Sequence, residues 1–420
     1  MSKHPVSYRI GRICRLFVTA GICLCLAACG APAGAASSGA AVPSGSSASS
    51  GSSASSGTPA ASAAETSAEA LPVITVITET VEDGADTAAE NTAAENTSMP
   101  SAADGTFTIT FAGDILMDPG YSAGDALTKR GTEGSFDEET LSIMRDADLF
   151  VVNNEFAFTS RGTAVSKQYN FRADPKNAQI LKDMGADLVT LGNNHTYDYG
   201  EEGLLDTLDT LKAAGVPYIG AGKDLEEASA PAVYTIGGFR ISLVNAESIL
   251  FNSNPPAQCA LEGKPGTFDC YRPEMLFEAV RKAKAESDYC IAVLHWGSEG
   301  KSTPNEKQLT LSRGAAEAGA DLIIGGHPHV LQTIGRVGAV PVVYSLGNYL
   351  FHSGTYDTGV IQAVFRPSEK RLESLCFVPM QCRNMKVFTL SGSEKERLLK
   401  YMRSLSPEVQ IDEDGTITLP

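Results

Sequence analysis

The chain has 420 residues, a formal net charge of −17 at pH 7 and an isoelectric point near 4.8. This acidity argues against nucleic acid as a partner, because recognition of phosphate needs clustered lysine and arginine side chains. The length allows one large folded domain, or two small ones, beside terminal segments.

The first 29 residues have the layout of a bacterial lipoprotein signal peptide. Lys3 and three arginines precede an apolar run from Leu16 to Leu26, as in secretory signals. The run is too short to cross about 30 Å of hydrocarbon as a helix. It ends in Leu26-Ala27-Ala28-Cys29, which resembles a lipobox. We therefore expect a lipid on Cys29 and an extracytoplasmic protein anchored to the cell membrane; the alternatives are an ordinary cleaved signal and a retained anchor helix.

Residues 30–104 are predicted to form a disordered stalk. The segment 31–62 contains only Ala, Ser, Gly, Pro, Thr and one Val, and the segment from Glu65 to Asp104 is acidic. Neither composition supplies enough apolar side chains to build a core. As a random coil of about 75 residues, the stalk would reach on the order of 50 Å from its anchor.

From Thr106 onward, short β-branched runs alternate with amphipathic stretches. This alternation is typical of strands joined by crossover helices. We predict one α/β domain over residues 105–390, with two sheets in a sandwich flanked by helices. The predicted strands are Thr106–Ala112, Leu149–Asn153, Leu188–Leu191, Arg240–Val244, Ile291–Leu294, Leu322–Ile324, Val342–Ser345, Val360–Phe365 and Leu375–Val378.

Two helices are predicted from the spacing of their apolar residues. In Glu201–Ala214, four leucines between positions 204 and 211 fall on one face, and Gly215 ends the helix. The second, Ser393–Leu405, opens the C-terminal segment 391–420, which we expect to pack on the outside of the domain.

Five cysteines lie in the predicted domain. Cys259 and Cys270 bracket a loop with Pro and Gly, and Cys376 and Cys382 flank what reads as a short turn. Either pair is a candidate disulfide in an oxidising compartment, and the sequence leaves both open. Cys290 lies in an apolar run and is expected to be a buried core thiol.

Four histidines follow predicted strands directly: His195, His295, His327 and His329. Ligands bind at the carboxyl ends of strands in α/β folds, so these side chains are expected to converge. In Gly326-His327-Pro328-His329 the two imidazoles are two residues apart, which puts them on one face if the segment is extended.

Polar side chains at other strand ends fit the same site. In Gly192-Asn193-Asn194-His195 an amide and an imidazole stand side by side, a combination suited to metal binding and proton transfer. Asp198 is placed to orient His195. Asp114 follows the first strand, and Asn153-Asn154-Glu155 follows the second.

This ordered set resembles the CapA family of poly-γ-glutamate capsule synthesis proteins, which is related to calcineurin-like metallophosphatases. The resemblance covers residues 105–385 and implies a two-sheet α/β/β/α sandwich of metallophosphatase type. The residues that carry it are Gly113-Asp114, Asn153-Asn154-Glu155, Gly192-Asn193-Asn194-His195, His295-Trp296-Gly297, Gly326-His327-Pro328-His329 and Ser345-Leu346-Gly347-Asn348.

The resemblance also implies roles for individual residues. His195 matches the histidine that protonates a leaving group, and we place it with Asp198 and Glu155 in the catalytic set. Metallophosphatases have a histidine where Leu116 stands, and Asn153-Asn154-Glu155 replaces their bridging Gly-Asp. One metal, two metals with Glu155 compensating, and no metal all stay open; Mn, Zn and Fe are the candidate ions. The positions that match metal ligands are Asp114, Asn194, His295, His327 and His329.

The implied substrate is an anionic γ-linked glutamate polymer or a related cell-wall peptide. We assign substrate binding to Arg172, Trp296 and Asn348, with Lys301 as a further candidate cation. Our first hypothesis is a hydrolase or other enzyme acting on γ-glutamyl or related amide bonds. The alternatives are a non-catalytic component that binds and exports the polymer beside a membrane synthase, and a metal-free epimerase of a peptide substrate.

Overall fold

The computed structural model describes residues 97–99, 105–249, 257–270 and 272–420. The predicted signal peptide with Cys29 and nearly all of the predicted stalk lie outside these ranges, so those assignments stay predictions. Within the described ranges, no helix combines the length and apolarity that a membrane span requires.

Twenty-one strands and eight α-helices make up the described part of the chain, with short 3₁₀ turns at Pro175–Asn177 and Pro367–Glu369. The strands are β1 Thr97–Met99, β2 Phe107–Ile115, β3 Leu149–Asn154, β4 Ala157–Phe158, β5 Arg172–Ala173, β6 Leu188–Thr190, β7 Tyr218–Ile219, β8 Ala221–Gly222, β9 Ala232–Ile236, β10 Phe239–Glu247, β11 Gly266–Thr267, β12 Tyr289–His295, β13 Leu322–Gly326, β14 Ile334–Val337, β15 Val340–Val343, β16 Asn348–Leu350, β17 Tyr356–Arg366, β18 Arg371–Arg383, β19 Lys386–Thr389, β20 Gln410–Ile411 and β21 Thr416–Thr418. The helices are α1 Ser122–Ser135, α2 Glu138–Arg145, α3 Ala178–Met184, α4 Gly200–Ala214, α5 Leu225–Ser229, α6 Pro273–Ala285, α7 Glu306–Ala318 and α8 Gly392–Leu405.

Two large sheets organise these elements. The ten-stranded sheet has the order β20-β21-β18-β17-β2-β3-β6-β7, with β16 paired to β2 and β19 to β18. The seven-stranded sheet has the order β1-β9-β10-β12-β13-β15-β14. Strands β2, β3, β6 and β7 run parallel, as do β10, β12, β13 and β15. Each sheet therefore presents a group of carboxyl strand ends at one edge.

The core lies in three layers because alternate residues of each strand point to opposite faces. Phe107, Ile109 and Phe111 of β2 face the seven-stranded sheet, and Phe150 and Val152 of β3 face α1–α4. A third cluster fills the space between the seven-stranded sheet and α5–α7. The predicted α/β fold, a two-sheet sandwich flanked by helices, is confirmed.

The C-terminal helix α8 packs on the domain through one apolar face, and most of its other residues are exposed, in agreement with the prediction. Leu398 and Leu399 of α8 are fully buried and belong to the core between the sheets. Strand β21 then pairs with β18 and extends the ten-stranded sheet. Thr97–Met99, which fall within the predicted stalk, pair with β9 as a parallel edge strand.

The five cysteines in the described part of the chain are free thiols. Cys376 and Cys382 both lie in β18, where a separation of six residues corresponds to roughly 20 Å. That distance excludes a disulfide between them; the predicted turn is in fact continuous strand. Cys259 and Cys270 are buried and unbonded, and Cys290 is fully buried in the layer beneath α6 and α7, as predicted.

Candidate metal centre

A buried polar cluster lies where the carboxyl ends of both sheets meet. The ten-stranded sheet contributes Asp114 from β2 and Glu155 from the residue after β3. The seven-stranded sheet contributes His295 from the end of β12, and the turn after β13 contributes His327 and His329. The predicted convergence of these side chains is therefore what the structure shows.

Asp114 is fully buried and is held from both sheets. Its Oδ1 accepts a hydrogen bond from Asn153 Nδ2 at 2.8 Å, and its Oδ2 accepts one from the His327 backbone N–H at 3.3 Å. Burial alone would raise its pKa, but the hydrogen bond from His329 and the neighbouring imidazoles outweigh burial and lower it to about 2. Asp114 is therefore an anion at neutral pH.

Gly326 allows the Asp114 carboxylate to lie close to the turn that carries the imidazoles. A Cβ at Gly326 would lie 3.0 Å from Asp114 Oδ1 and 3.6 Å from His295 Nδ1. Any larger residue would push the carboxylate of one sheet away from the imidazoles of the other.

Glu155 lies at the centre of the cluster. Its Oε1 is 3.6 Å from His295 Nε2, 3.8 Å from His329 Nε2 and 3.9 Å from His195 Nε2. That oxygen is buried and has no hydrogen-bond partner. Burial, followed by the negative charge of Asp114, raises the pKa of Glu155 well above its ordinary value.

His195 is fixed by an ion pair behind its ring. Its Nδ1 lies 2.7 Å from Asp198 Oδ2, and Asp198 also forms an ion pair with Lys167. Phe171 packs against the ring with centroids 4.2 Å apart, and its N–H donates to Asp198 at 2.6 Å. Burial lowers the pKa of His195, although Asp198 opposes that change. The neutral ring therefore donates from Nδ1 to Asp198 and turns Nε2 toward Glu155.

Asn194 and two histidines present their polar atoms to one another. Asn194 Oδ1 is 2.8 Å from His295 Nε2, and His327 Nδ1 is 3.2 Å from the same nitrogen. Burial is the main reason that the pKa of His295 falls to about 3 and that of His327 falls well below its ordinary value. Both imidazoles are therefore neutral at neutral pH, the form in which histidine binds a metal.

His329 is oriented by Asn348. Its Nδ1 lies 2.7 Å from Asn348 Oδ1, which leaves Nε2 facing Glu155. A partner that holds one ring nitrogen in this way fixes the tautomer of a metal-binding histidine. Asn348 is almost fully buried, so the structure gives it this orienting position rather than the predicted contact with substrate.

The two histidines reach the site by a route that differs from the predicted extended segment. Strand β13 ends at Gly326, and His327 and His329 have φ values of 95° and 58°. This left-handed backbone is costly for residues other than glycine and is concentrated at functional sites. A tight turn, not strand alternation, therefore brings the two imidazoles together.

The donor set fits a divalent metal. Two overlapping groups have ligand atoms within 4.8 Å of one another: Glu155, His327 and His329, and Asp114, Glu155 and His295. Imidazole and carboxylate together suit Zn, Mn or Fe. Glu155 is shared by both groups, and its Oε1 has no hydrogen-bond partner among the described residues, so a cation bound to that oxygen would satisfy it. Leu116, at the position of the missing histidine, is buried in the core beneath α1–α4.

The predicted substrate contacts divide into buried and exposed residues. Trp296 has no exposed surface; its indole N–H donates to the Tyr344 carbonyl at 2.9 Å, and both rings belong to the core beneath α6 and α7. Its assignment to substrate binding is corrected, because β12 turns this side chain to the face opposite His295. Arg172 and Lys301 are exposed.

Two residues of the centre are not among the predicted site residues. Asn153 Nδ2 donates to Asp114 and lies 3.2 Å from Glu155 Oε2, so this amide joins the two carboxylates. Lys167 Nζ donates to the Asn194 carbonyl at 2.7 Å and pairs with Asp198. Asn153 belongs to the motif Asn153-Asn154-Glu155 after the second strand, and this motif is a sequence signal for its role. Lys167 lies in a polar loop where nothing distinguishes it from a surface lysine.

The fold and the centre define a class of protein: an α/β sandwich whose two sheet edges enclose a buried cluster of carboxylates and imidazoles suited to a divalent cation. Residues 108–353, more than half of the chain, match the family model described as bacterial capsule synthesis protein PGA_cap. The chain belongs to this family. The resemblance inferred from its motifs is confirmed.

Several characterised or named proteins are similar to this chain. The PGA biosynthesis protein CapA of Bacillus subtilis is 28% identical over 275 residues, covering 64% of this chain and 70% of the relative. The capsule biosynthesis protein CapA of Bacillus anthracis is 26% identical over 306 residues, covering 70% and 72%. A probable polyglutamine synthesis accessory protein of Mycobacterium tuberculosis is 25% identical over 286 residues, covering 64% and 75%. A solved structure of a novel phosphatase from Mycoplasma pneumoniae aligns with a TM-score of 0.42 at 12% identity, covering 66% of this chain and 94% of that chain.

Proposed function

We propose that this chain is an extracytoplasmic, lipid-anchored protein of capsule or other envelope-polymer synthesis that acts on γ-glutamyl or related amide bonds with the help of a divalent metal. The observation that carries the metal part is the buried, unpartnered Oε1 of Glu155 among three imidazoles. Family membership and relatives named for PGA biosynthesis and capsule biosynthesis support the polymer.

The metal would be held by Asp114, Glu155, His295, His327 and His329, with the Asn194 amide oxygen beside them. Mn, Zn or Fe are the ions that suit these ligands. A bound divalent cation supplies Lewis acidity toward an amide carbonyl. Two carboxylates would balance its charge, and three imidazoles would complete the donor set in a largely buried site.

His195 would move the proton that cleavage of an amide bond requires. Its Nε2 faces the cluster, while Asp198 and Lys167 hold the ring from behind. In such a hydrolysis, water would supply the hydroxyl group that the carbonyl carbon gains as the carbon–nitrogen bond breaks. A proton taken up at His195 Nε2 could be given to the departing nitrogen, the role of a general acid. Because burial lowers the pKa of His195, the protonated ring is a strong donor and returns readily to the neutral form.

Arg172 would bind the free carboxylates of the polymer. Its guanidinium lies over the Tyr199 ring, 4.6 Å from the centroid, and no acidic side chain among the described residues forms an ion pair with it. The neighbouring Phe171 packs on His195, which puts Arg172 at the border of the centre. Arginine stacked on an aromatic ring presents its N–H groups edge-on, in the geometry that pairs with a carboxylate.

The lipid anchor and stalk would hold this site where an exported polymer passes. A lipid on Cys29 fixes one end of the stalk at the membrane surface. Residues 30–104 then give the domain a reach on the order of 50 Å, enough for work beside a membrane synthase or within the cell wall.

The test combines metal analysis with an assay of bond cleavage. The full chain, purified without chelators, is expected to carry a divalent metal by elemental analysis and to release new amino groups from a γ-glutamyl oligomer. His195→Ala should retain metal and lose turnover, whereas His327→Ala should lose metal. Asp209→Asn, an exposed position in α4, is the control and should behave as the parent chain.

Two outcomes would overturn parts of this proposal. Absence of metal from both the parent chain and His327→Ala would exclude the metal-dependent mechanism. If the polymer binds but no bond is cleaved, and His195→Ala leaves capsule output intact while deletion of the stalk abolishes it, the chain is a polymer-binding export component instead.

A further inference from the structure

A groove of about 520 Å³ runs across the outer helical layer, between α5, the start of α6 and the turn at Gly263. Its floor is apolar and is formed by Leu225, Phe268 and Met275. Phe268 belongs to the core beneath α6, and Leu225 and Met275 pack against that core while remaining partly exposed. An adjoining hollow of about 280 Å³ shares Leu225 and Met275 and is also lined by Asp269 and Arg272.

The rim of this groove is acidic. Glu226, Glu262 and Glu274 are exposed and line it together with Asp224 and Glu278. The carboxylates of Glu226, Glu262 and Glu274 form no hydrogen bond or ion pair with any described residue. Lys282 is the single basic residue of the lining, and it already pairs with Glu278 at 3.8 Å. The acidic groove, defined by Leu225, Phe268, Met275, Glu226, Glu262 and Glu274, therefore has three uncompensated negative charges over an apolar floor.

The character of the lining separates this groove from a catalytic or small-molecule site. None of its polar side chains is buried, whereas small-molecule sites use a few enclosed polar groups to orient their ligand. An open apolar strip edged by charge is instead the surface that an amphipathic helix covers with its apolar face.

We propose that the acidic groove binds a cationic amphipathic segment of a partner protein, with apolar side chains on the floor and lysine or arginine on the rim. Charge complementarity carries this choice, because exposed carboxylates of one sign attract a basic segment and repel an acidic one. A second copy of this chain is a poor occupant, since its net charge is −17. The site is distinct from the metal centre, so its occupant and the catalytic chemistry can be tested separately.

The test uses the full chain and a fluorescent 18-residue helical peptide of leucine and lysine, with the leucines on one face. We expect saturable one-to-one binding by fluorescence anisotropy at physiological salt, and weaker binding as salt rises. The triple variant Glu226→Gln, Glu262→Gln, Glu274→Gln should weaken binding by about tenfold, the loss expected for three solvent-exposed ion pairs. Met275→Ser should weaken it further without changing the salt dependence.

The matched control removes the same charge elsewhere. Glu138→Gln, Glu317→Gln, Glu413→Gln changes three exposed carboxylates that lie outside the groove and should leave the affinity unchanged. Equal weakening by both triple variants would show general attraction to an acidic protein and overturn the proposal. So would absence of saturable binding, or a concentration-dependent dimer by sedimentation that Met275→Ser abolishes, which would make a second copy the occupant.

Discussion

The two sheets contribute different chemistry to the same centre. The edge of the ten-stranded sheet supplies the anions and amides: Asp114, Asn153, Glu155 and Asn194. The edge of the seven-stranded sheet supplies imidazoles: His295, His327 and His329. His195 is the exception, and it faces the centre from the ten-stranded side with its own anion, Asp198, behind it.

This division makes the centre dependent on how the sheets pack. The ten-stranded edge has few cations of its own for its buried carboxylates, and a buried carboxylate without a partner is costly. Across the interface, Asp114 meets His329 at 3.5 Å and the His327 backbone at 3.3 Å. The apolar core between the sheets therefore holds the two halves of the donor set in register.

The largest loss of metal affinity is expected from replacing Asp114, the carboxylate that is hydrogen-bonded by residues of both sheets. Asp114→Asn deletes the negative charge while keeping the side-chain size. Metal affinity, measured by competition with a fluorescent chelator, should fall more than about 100-fold, since even residues that only orient a ligand change affinity by about 10- to 100-fold. Asp209→Asn should have no effect; retention of metal by Asp114→Asn would show that the Asp114 carboxylate is dispensable for metal binding.

A smaller loss of metal affinity is expected when His329 loses Asn348, the side chain that orients it. Asn348→Ala removes the acceptor for His329 Nδ1 and frees the ring to turn. Metal affinity should fall by about 10- to 100-fold. Asn348→Asp keeps an acceptor at the same place and should restore most of the affinity; equal loss in both variants would contradict the orienting role.

Replacement of Glu155 is expected to change the stability of the protein by an amount that depends on pH. Burial and Asp114 raise its pKa in the folded protein, so its contribution to stability is present below about pH 4.3 and is lost as pH rises through the raised pKa. Without metal, Glu155→Gln should be more stable than the parent chain at pH 8, by on the order of 1–2 kcal/mol, and equal to it near pH 4.

Thermal or urea unfolding with and without added divalent metal measures this difference. Metal should stabilise the parent chain and do so much less for Glu155→Gln. A metal-free Glu155→Gln that is less stable than the parent chain at pH 8 would contradict a buried, uncompensated carboxylate.

The smallest effect on the centre is expected for Trp296, which follows β12 directly and points away from His295. Trp296→Phe removes the hydrogen bond to Tyr344 and some packing. It should lower the free energy of unfolding by about 1 kcal/mol and leave metal affinity and polymer binding unchanged. A change in polymer affinity without loss of stability would restore Trp296 as a substrate contact.

Local patterns in the sequence predicted most of the fold. Strand positions near 107–115, 149–154, 289–295 and 322–326, and the helix Gly200–Ala214, agree with prediction to within a few residues. Apolar alternation and helical spacing are local properties, so they are legible without the tertiary structure. The C-terminal helix was also predicted, but the core that its three buried side chains join depends on partners distant in sequence.

Elements whose environment is set at long range were misjudged. Cys376 and Cys382 read as flanking a turn because Pro379 follows the predicted strand Leu375–Val378, yet pairing with β17 and β19 keeps β18 extended. Trp296 follows a histidine at a strand end, and only the packing of α6 and α7 on the seven-stranded sheet shows that its side chain belongs to the core.

By itself, the sequence determined the members of the centre: the carboxylates, amides and imidazoles that follow the strands of an α/β domain and identify its family. Tertiary structure decided how they are used. It placed Glu155 between the imidazoles, brought Lys167 behind Asp198, and formed the left-handed turn that turns His327 and His329 inward. The reason is that residue type is encoded locally, whereas distances between strand ends of two different sheets are fixed only when their apolar faces pack.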